Sequence, residues 1–224
     1  MKINLIYLSG LQGDECMAVQ LQIWNTPQFQ DFDEFISLAY DNFYNKFLRK
    51  DIKPDFKGKF VFFDMNTQYG VADLGKPERF LHLCSMEDKT KYPIFPCTND
   101  LSYSQCNTQC KPSLASFVFN ILGRVECVYR IIRLEWIPQI IELANNKDKN
   151  ISIWTDLERD KNGNRIKKVY IRYEYLGNDY VIILIEKKKS KSNTTYYEFD
   201  TAFPVFDKGQ KVEFSQKYKN YSKN

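Results

Sequence analysis

The chain has one histidine. In 224 residues His82 stands alone, so a metal centre built on two or more histidines is excluded, as is the HExxH pair of zinc hydrolases. The sequence also lacks GxxxxGKS or GxxxxGKT, a glycine fingerprint following a strand, and GxSxG. Those absences set aside P-loop phosphate binding, dinucleotide binding and the nucleophile elbow. Long apolar runs are missing too. VIILI, Val181 to Ile185, is far short of the roughly 20 residues a spanning helix needs. The opening MKINLIYLSGLQGDEC is apolar only from Ile3 to Leu8 and then turns acidic, where an export signal places small residues. The expectation is a soluble, cytoplasmic protein. Internal repeats and Gly- or Ser-rich linkers are absent as well.

What is present is apolar mass. Hydrophobic residues make up 43% and aromatics 16%, enough burial to offset chain entropy and to rule out disorder. A chain of this length can hold one large domain or two small ones and bury a core without disulfides. The six cysteines are then thiols or metal ligands in a reducing compartment. Cys97, Cys106 and Cys110 cluster, Cys84 and Cys127 flank them, and Cys16 is isolated. Their spacing is looser than a CxxC pair, but a structural zinc on Cys97, Cys106 and Cys110 is an open reading, with Cys84, Cys127 or His82 as fourth ligand. The cysteines fall in YPIFPCTNDLSYSQCNTQCKPS, residues 92–113, an aperiodic stretch long enough to need a clamp or a function.

Charge is unevenly placed. Residues 1–123 carry 12 Lys and Arg against 14 Asp and Glu, and residues 124–224 carry 20 against 14. A basic C-terminal half fits a polyanionic partner, although lysine runs such as KKKSK, Lys187 to Lys191, are commonly solvated.

Helical spacing of Phe32, Phe35, Ile36, Ala39, Tyr40, Phe43, Phe47 and Leu48 predicts an amphipathic helix over 32–50. FVFFDM reads as a short strand. SLASFVFNILGR and VECVYRIIRLEWIPQIIELANN turn helical, with Arg130 and Arg133 three apart on one face and Pro138 kinking the element or starting a new helix. ISIWTDL, KKVYIRYEYL, DYVIILIEK and TYYEFDTAFPV, separated by KNGN and GND, predict an antiparallel meander. Its pleat puts Lys168, Tyr170, Arg172 and Glu174 on one face and Val169, Ile171, Tyr173 and Tyr175 on the other. The fold class is therefore α+β, helices on one face of an antiparallel sheet formed mainly by the C-terminal third. The chain reads as one compact unit, with residues 1–75 an N-terminal elaboration on a domain spanning 76–224.

ERFLHLC, Glu78 to Cys84, holds the sole histidine. Read as a strand, its alternation puts Phe80, His82 and Cys84 on one face, which leaves His82 open as core residue, metal ligand with a cysteine, or proton-transfer group. A Cys/His hydrolase using Cys84 or Cys127 lacks any matching local signature. The residues that remain permit metal-independent RNA cleavage without singling it out. That reaction needs a base for the ribose 2′-hydroxyl, cations for the phosphorane and a donor for the leaving oxygen.

In order, ERFLHLC, RIIRLEWIPQIIELANN, KKVYIRYEYLGNDYVIILIEK and TYYEFDTAFPVF resemble the phage-associated nuclease domains of the barnase/EndoU/colicin/RelE superfamily. The similar stretch covers about residues 76–207. The resemblance implies a metal-independent endoribonuclease of toxin type, phage-linked or in a defence system, acting on RNA and restrained by an antitoxin or inhibitor protein. It makes His82 the general acid or base and Arg79 a phosphate contact. It takes a helix-borne cation from Arg130 or Arg133, Arg172 with Tyr173 from a strand beside Lys168, and a hydroxyl at the scissile phosphate from Thr201. The cysteine-rich insertion at 92–113 departs from that pattern. The competing expectation is a non-catalytic nucleic-acid-binding or regulatory protein with a structural zinc.

Overall fold

The computed structural model describes residues 20–52, 55–87, 119, 121–189 and 194–223. The whole insertion, residues 92–113, and with it Cys97, Cys106 and Cys110, lies outside the described residues, as do the chain's opening and much of SLASFVFNILGR. In chain order the elements are α1 (Phe32–Phe43), β1 (Asp55–Phe56), β2 (Lys59–Phe62), β3 (Gln68–Tyr69), β4 (Ala72–Asp73), α2 (Glu78–Leu83), β5 (Ser85–Glu87) and β6 (Arg124–Glu126). Then follow α3 (Val128–Ile131), α4 (Trp136–Asn145), β7 (Ile151–Arg159), β8 (Arg165–Tyr175), β9 (Asn178–Lys188), β10 (Thr195–Pro204) and α5 (Lys208–Tyr221).

Helix α1 starts where its sequence says it should. The Asp31 carboxylate accepts the Glu34 amide at 2.8 Å, satisfying one orphan donor of the first turn. Phe32, Phe35, Ile36, Ala39 and Phe43 form its buried stripe. A π-helical turn, Tyr44–Leu48, closed by the Arg49 amide on the Tyr44 carbonyl at 2.8 Å, carries Phe47 and Leu48 into the core beside Phe43. Further on, α3 stops at Ile131 and α4 begins at Trp136, with Pro138 in its first turn, where a missing N–H costs nothing. This is the new helix that Pro138 predicts.

The sheet runs β1-β2-β10-β9-β8-β7. Strands β7 to β10 form the expected antiparallel meander, and Leu176–Gly177, both at positive φ, make the tight β8–β9 turn. Strand β2 joins parallel to β10, but only at Tyr197↔Val61 and Glu198↔Phe62. Past Glu198 the outer edge of β10 has no strand beside it among the described residues. There the ladder slips: Phe199 faces Leu184 and Thr201 faces Ile183, so Asp200 is the extra residue of a bulge. The bulge lets Phe199 and Ala202 both enter the main core while Thr201 turns to the opposite face with Ile183.

Two apolar clusters sit on the two faces. The larger packs α1, α2 and α4 on Val169, Ile171, Tyr173, Ile182, Leu184 and Phe199. The smaller, Trp154, Tyr170, Val181, Ile183 and Val205, lies under Phe214 of α5. Helices thus cover both faces rather than one. The charged stripe of β8 includes a residue as apolar in its packing as Tyr170, stacked on Trp154 at 4.9 Å, and α5 is what buries it.

Candidate functional site around His82

ERFLHLC is a helix, not a strand. Pro77 presets the entry, the Leu81 amide donates to its carbonyl at 3.1 Å, and Phe80, Leu81 and Leu83 turn inward, Phe80 against Tyr40 and Phe43. The change of period reassigns the neighbours of His82. On a strand Arg79 and His82 would face opposite ways; three residues apart on a helix they share a side. Cys84 instead becomes the C-cap, fully buried, with burial pushing its thiol pKa up. Cys127 is buried beside it, its amide donating to the Cys84 carbonyl at 2.8 Å. Among the described residues no cluster of three or more His, Cys, Asp or Glu is arranged to hold a metal.

Three arginines from three elements converge on His82. Arg79, on its own helix, donates to the Asp200 carbonyl and lies 3.5 Å from the Asp200 carboxylate. Arg124 of β6 donates from Nε to Ser85 Oγ at 2.7 Å, and from Nη2 to the carbonyls of Ser85 at 2.8 Å and His82 at 3.4 Å. Arg130 of α3 donates from Nη1 to the Ser85 carbonyl and from Nη2 to the Ala202 carbonyl at 2.9 Å. The open edge of β10 is therefore finished by guanidinium groups where β2 leaves it, and Thr201 lies between the two carbonyls they hold. The Nε atoms of Arg79 and Arg130 are buried donors with no hydrogen-bond partner among the described residues.

Burial first, then Arg124, Arg130 and Arg79, lowers the His82 pKa from 6.5 to about 3. At neutral pH the imidazole is uncharged, and the same burial and cations make it a weaker base than a free imidazole until an anion offsets their charge. Between those two values the unfolded chain binds a proton that the folded chain refuses, so stability falls as pH drops through that window. Relative to His82→Asn, the wild type is expected to hold its stability above pH 6.5. Below that it should lose up to about 1.4 kcal/mol per pH unit, read from urea unfolding.

The site extends from Arg79 through the bulge. Asp200 also pairs with Lys168 at 3.2 Å, Lys168 with Glu158 at 3.2 Å, and the Tyr170 hydroxyl donates to Glu158. Burial pulls the Lys168 pKa down, but the two carboxylates more than offset it and the net direction is up.

Other sequence candidates lie apart. Arg133 is clamped over Tyr129 at 3.4 Å and Trp136 at 4.9 Å and donates to the Tyr129 carbonyl; it is not among the charges acting on His82. Arg133→Met, which keeps most of that packing, is expected to change any activity at His82 less than about threefold, measured as initial rate. Tyr173 is a core residue against Trp136. Arg172 is buried under α5, bidentate to Asp179 at 2.9 and 2.7 Å, with Nη1 on Ser215 Oγ. The sequence reading missed Arg124, Ser85, Asp200 and Glu158. Only Arg124 carried a signal, as the basic end of SLASFVFNILGR.

No protein-family model matches the chain, and no curated protein or solved structure matches it.

Proposed function

We propose that the chain is an endoribonuclease of toxin type, phage-linked or part of a defence system, cleaving RNA by acid–base transesterification without a catalytic metal. One observation carries the reading: the guanidinium groups of Arg79, Arg124 and Arg130 gather around a neutral imidazole, a concentration of positive charge that attracts a phosphate.

In the proposed reaction the His82 imidazole takes the proton of a ribose 2′-hydroxyl. The 2′-oxygen bonds to phosphorus as the bond to the 5′-oxygen breaks, leaving a 2′,3′-cyclic phosphate and a 5′-hydroxyl. The guanidinium groups offset the charge gathering on the phosphorane, where planar donors bind two oxygens at once. Water supplies the proton taken up by the leaving 5′-oxygen, since Thr201 pairs with Ile183 and Lys168 shares the Tyr170 side of β8, on the sheet face opposite α2. An antitoxin or inhibitor protein restrains the activity in the host. Induced expression tests this: the wild type should arrest growth with RNA fragmentation and His82→Ala should not. Equal toxicity from both, or none from either, overturns the reading.

A second reading has its own observation. Arg79, Arg124 and Arg130 all donate to backbone carbonyls, as a clasp joining α2 and α3 to β10, and β6 to β5, would. The chain would then be a non-catalytic nucleic-acid-binding or regulatory protein, with a structural zinc on Cys97, Cys106 and Cys110. RNA binding without cleavage, together with one zinc per purified chain, would select it.

A further inference from the structure

We infer that Ser85, the first residue of β5, is a positioning residue that fixes Arg124 against His82. The inference rests on the proposed role of His82 and goes one residue beyond the groups that would meet substrate. Ser85 is wholly buried, and its hydroxyl and its carbonyl are both engaged. Its hydroxyl donates to the Leu81 carbonyl at 2.7 Å, in the last turn of α2, and accepts from Arg124 Nε at 2.7 Å. Its carbonyl accepts from Arg124 Nη2 at 2.8 Å and from Arg130 Nη1. One short residue thereby joins the helix bearing His82 to both cations that arrive from β6 and α3.

The hydroxyl on Nε and the carbonyl on Nη2 together grip one edge of the Arg124 guanidinium and set its plane. The plane so fixed also brings Nη2 to 3.4 Å from the His82 carbonyl, at the C-terminal end of α2, where its charge acts on the imidazole. The groups facing that imidazole are Arg79 from α2, Arg124 from β6 and Arg130 from α3. Asp200 lies beyond Arg79 and Lys168 beyond Asp200. Removing the Ser85 hydroxyl leaves both carbonyl contacts in place, so its loss acts on the orientation of Arg124 rather than on the clasp as a whole.

Because His82 is the chain's only histidine, its imidazole C2 proton gives one assignable NMR signal, and its titration can be followed in the intact protein without any substrate. In the wild type that signal is expected to stay at its neutral position down to about pH 4. Arg124→Gln should raise the midpoint by roughly one unit or more, and Ser85→Ala should raise it in the same direction by a smaller amount. Ser85→Thr, which keeps the hydroxyl, should titrate as the wild type does. If Arg124→Gln raises the midpoint and Ser85→Ala, still folded by circular dichroism, does not, the hydroxyl does not position the cation and the inference fails. An unmoved midpoint in Arg124→Gln also defeats it. If Ser85→Ala does not fold, Ser85→Thr and Arg124→Gln decide: a wild-type midpoint in the first and a raised one in the second uphold it, any other pair overturns it. The midpoints shift as described whether or not the chain cuts RNA, so absence of cleavage in the wild type would sink the nuclease reading alone.

Discussion

His82→Ala is expected to lower the rate of RNA cleavage by roughly 10²- to 10⁴-fold, the range that a positioned acid–base group contributes. The loss should fall on kcat, with KM little changed, because in the proposed reaction Arg79, Arg124 and Arg130, not the imidazole, hold the phosphate. Folding should survive at neutral pH. His82 is uncharged there, and α2 is anchored by Phe80, Leu81 and Leu83, not by the histidine. A variant that folds and binds RNA as the wild type does, yet cuts at the wild-type rate, removes His82 from the reaction.

Arg172→Met is expected to cost about 3 kcal/mol of stability, since it takes the bidentate partner from the Asp179 carboxylate, 8% exposed, and leaves it Lys211 at 3.9 Å. Ser215 and Glu174 lose a donor at the same time. Replacing both partners, Arg172→Met with Asp179→Leu, should recover much of the loss because no charge is then left buried alone. Urea midpoints of the three chains measure this. Cleavage per folded molecule should change less than about tenfold in the single variant, because a defect that is mainly in folding leaves the site of the folded fraction intact. The family likeness puts Arg172 at the scissile phosphate; its lodging under α5 makes it a fastening of the sheet face. A far larger loss of cleavage with stability unchanged would restore the catalytic role.

The meander was legible because its strands run nine to eleven residues, β8 with a period of two and β9 as a continuous apolar run buried on both faces, with turn signals between them. Helix α1 was legible for the corresponding reason. ERFLHLC was not: over seven residues three or four apolar positions satisfy either period, and the deciding signal was Pro77, one residue outside the motif. The consequence reached the site, since the strand reading paired His82 with Cys84 and the helix pairs it with Arg79. Helix α5 left little trace beyond Asp207 as a cap, because it buries only Phe214 and draws the rest of its hold from contacts such as Lys217 with Asp156. Arg124 and Ser85 meet across 39 residues through the β5–β6 ladder, a pairing of three-residue strands that local periodicity cannot specify. The bulge at Asp200 is hidden likewise. DTAF shows a threonine, but nothing in four residues says the strand slips there.

The central claim is that His82 takes the proton of a ribose 2′-hydroxyl within a ring of arginines. Its most direct measurement is cleavage, in excess EDTA, of one single-stranded oligoribonucleotide and of the same sequence made entirely with 2′-deoxyribose. The ribose strand should be cut by the wild type and not by His82→Ala, giving 2′,3′-cyclic phosphate and 5′-hydroxyl ends by mass spectrometry, and the deoxyribose strand should stay whole. Cleavage of the deoxyribose strand, or ends bearing a 5′-phosphate, would contradict the account.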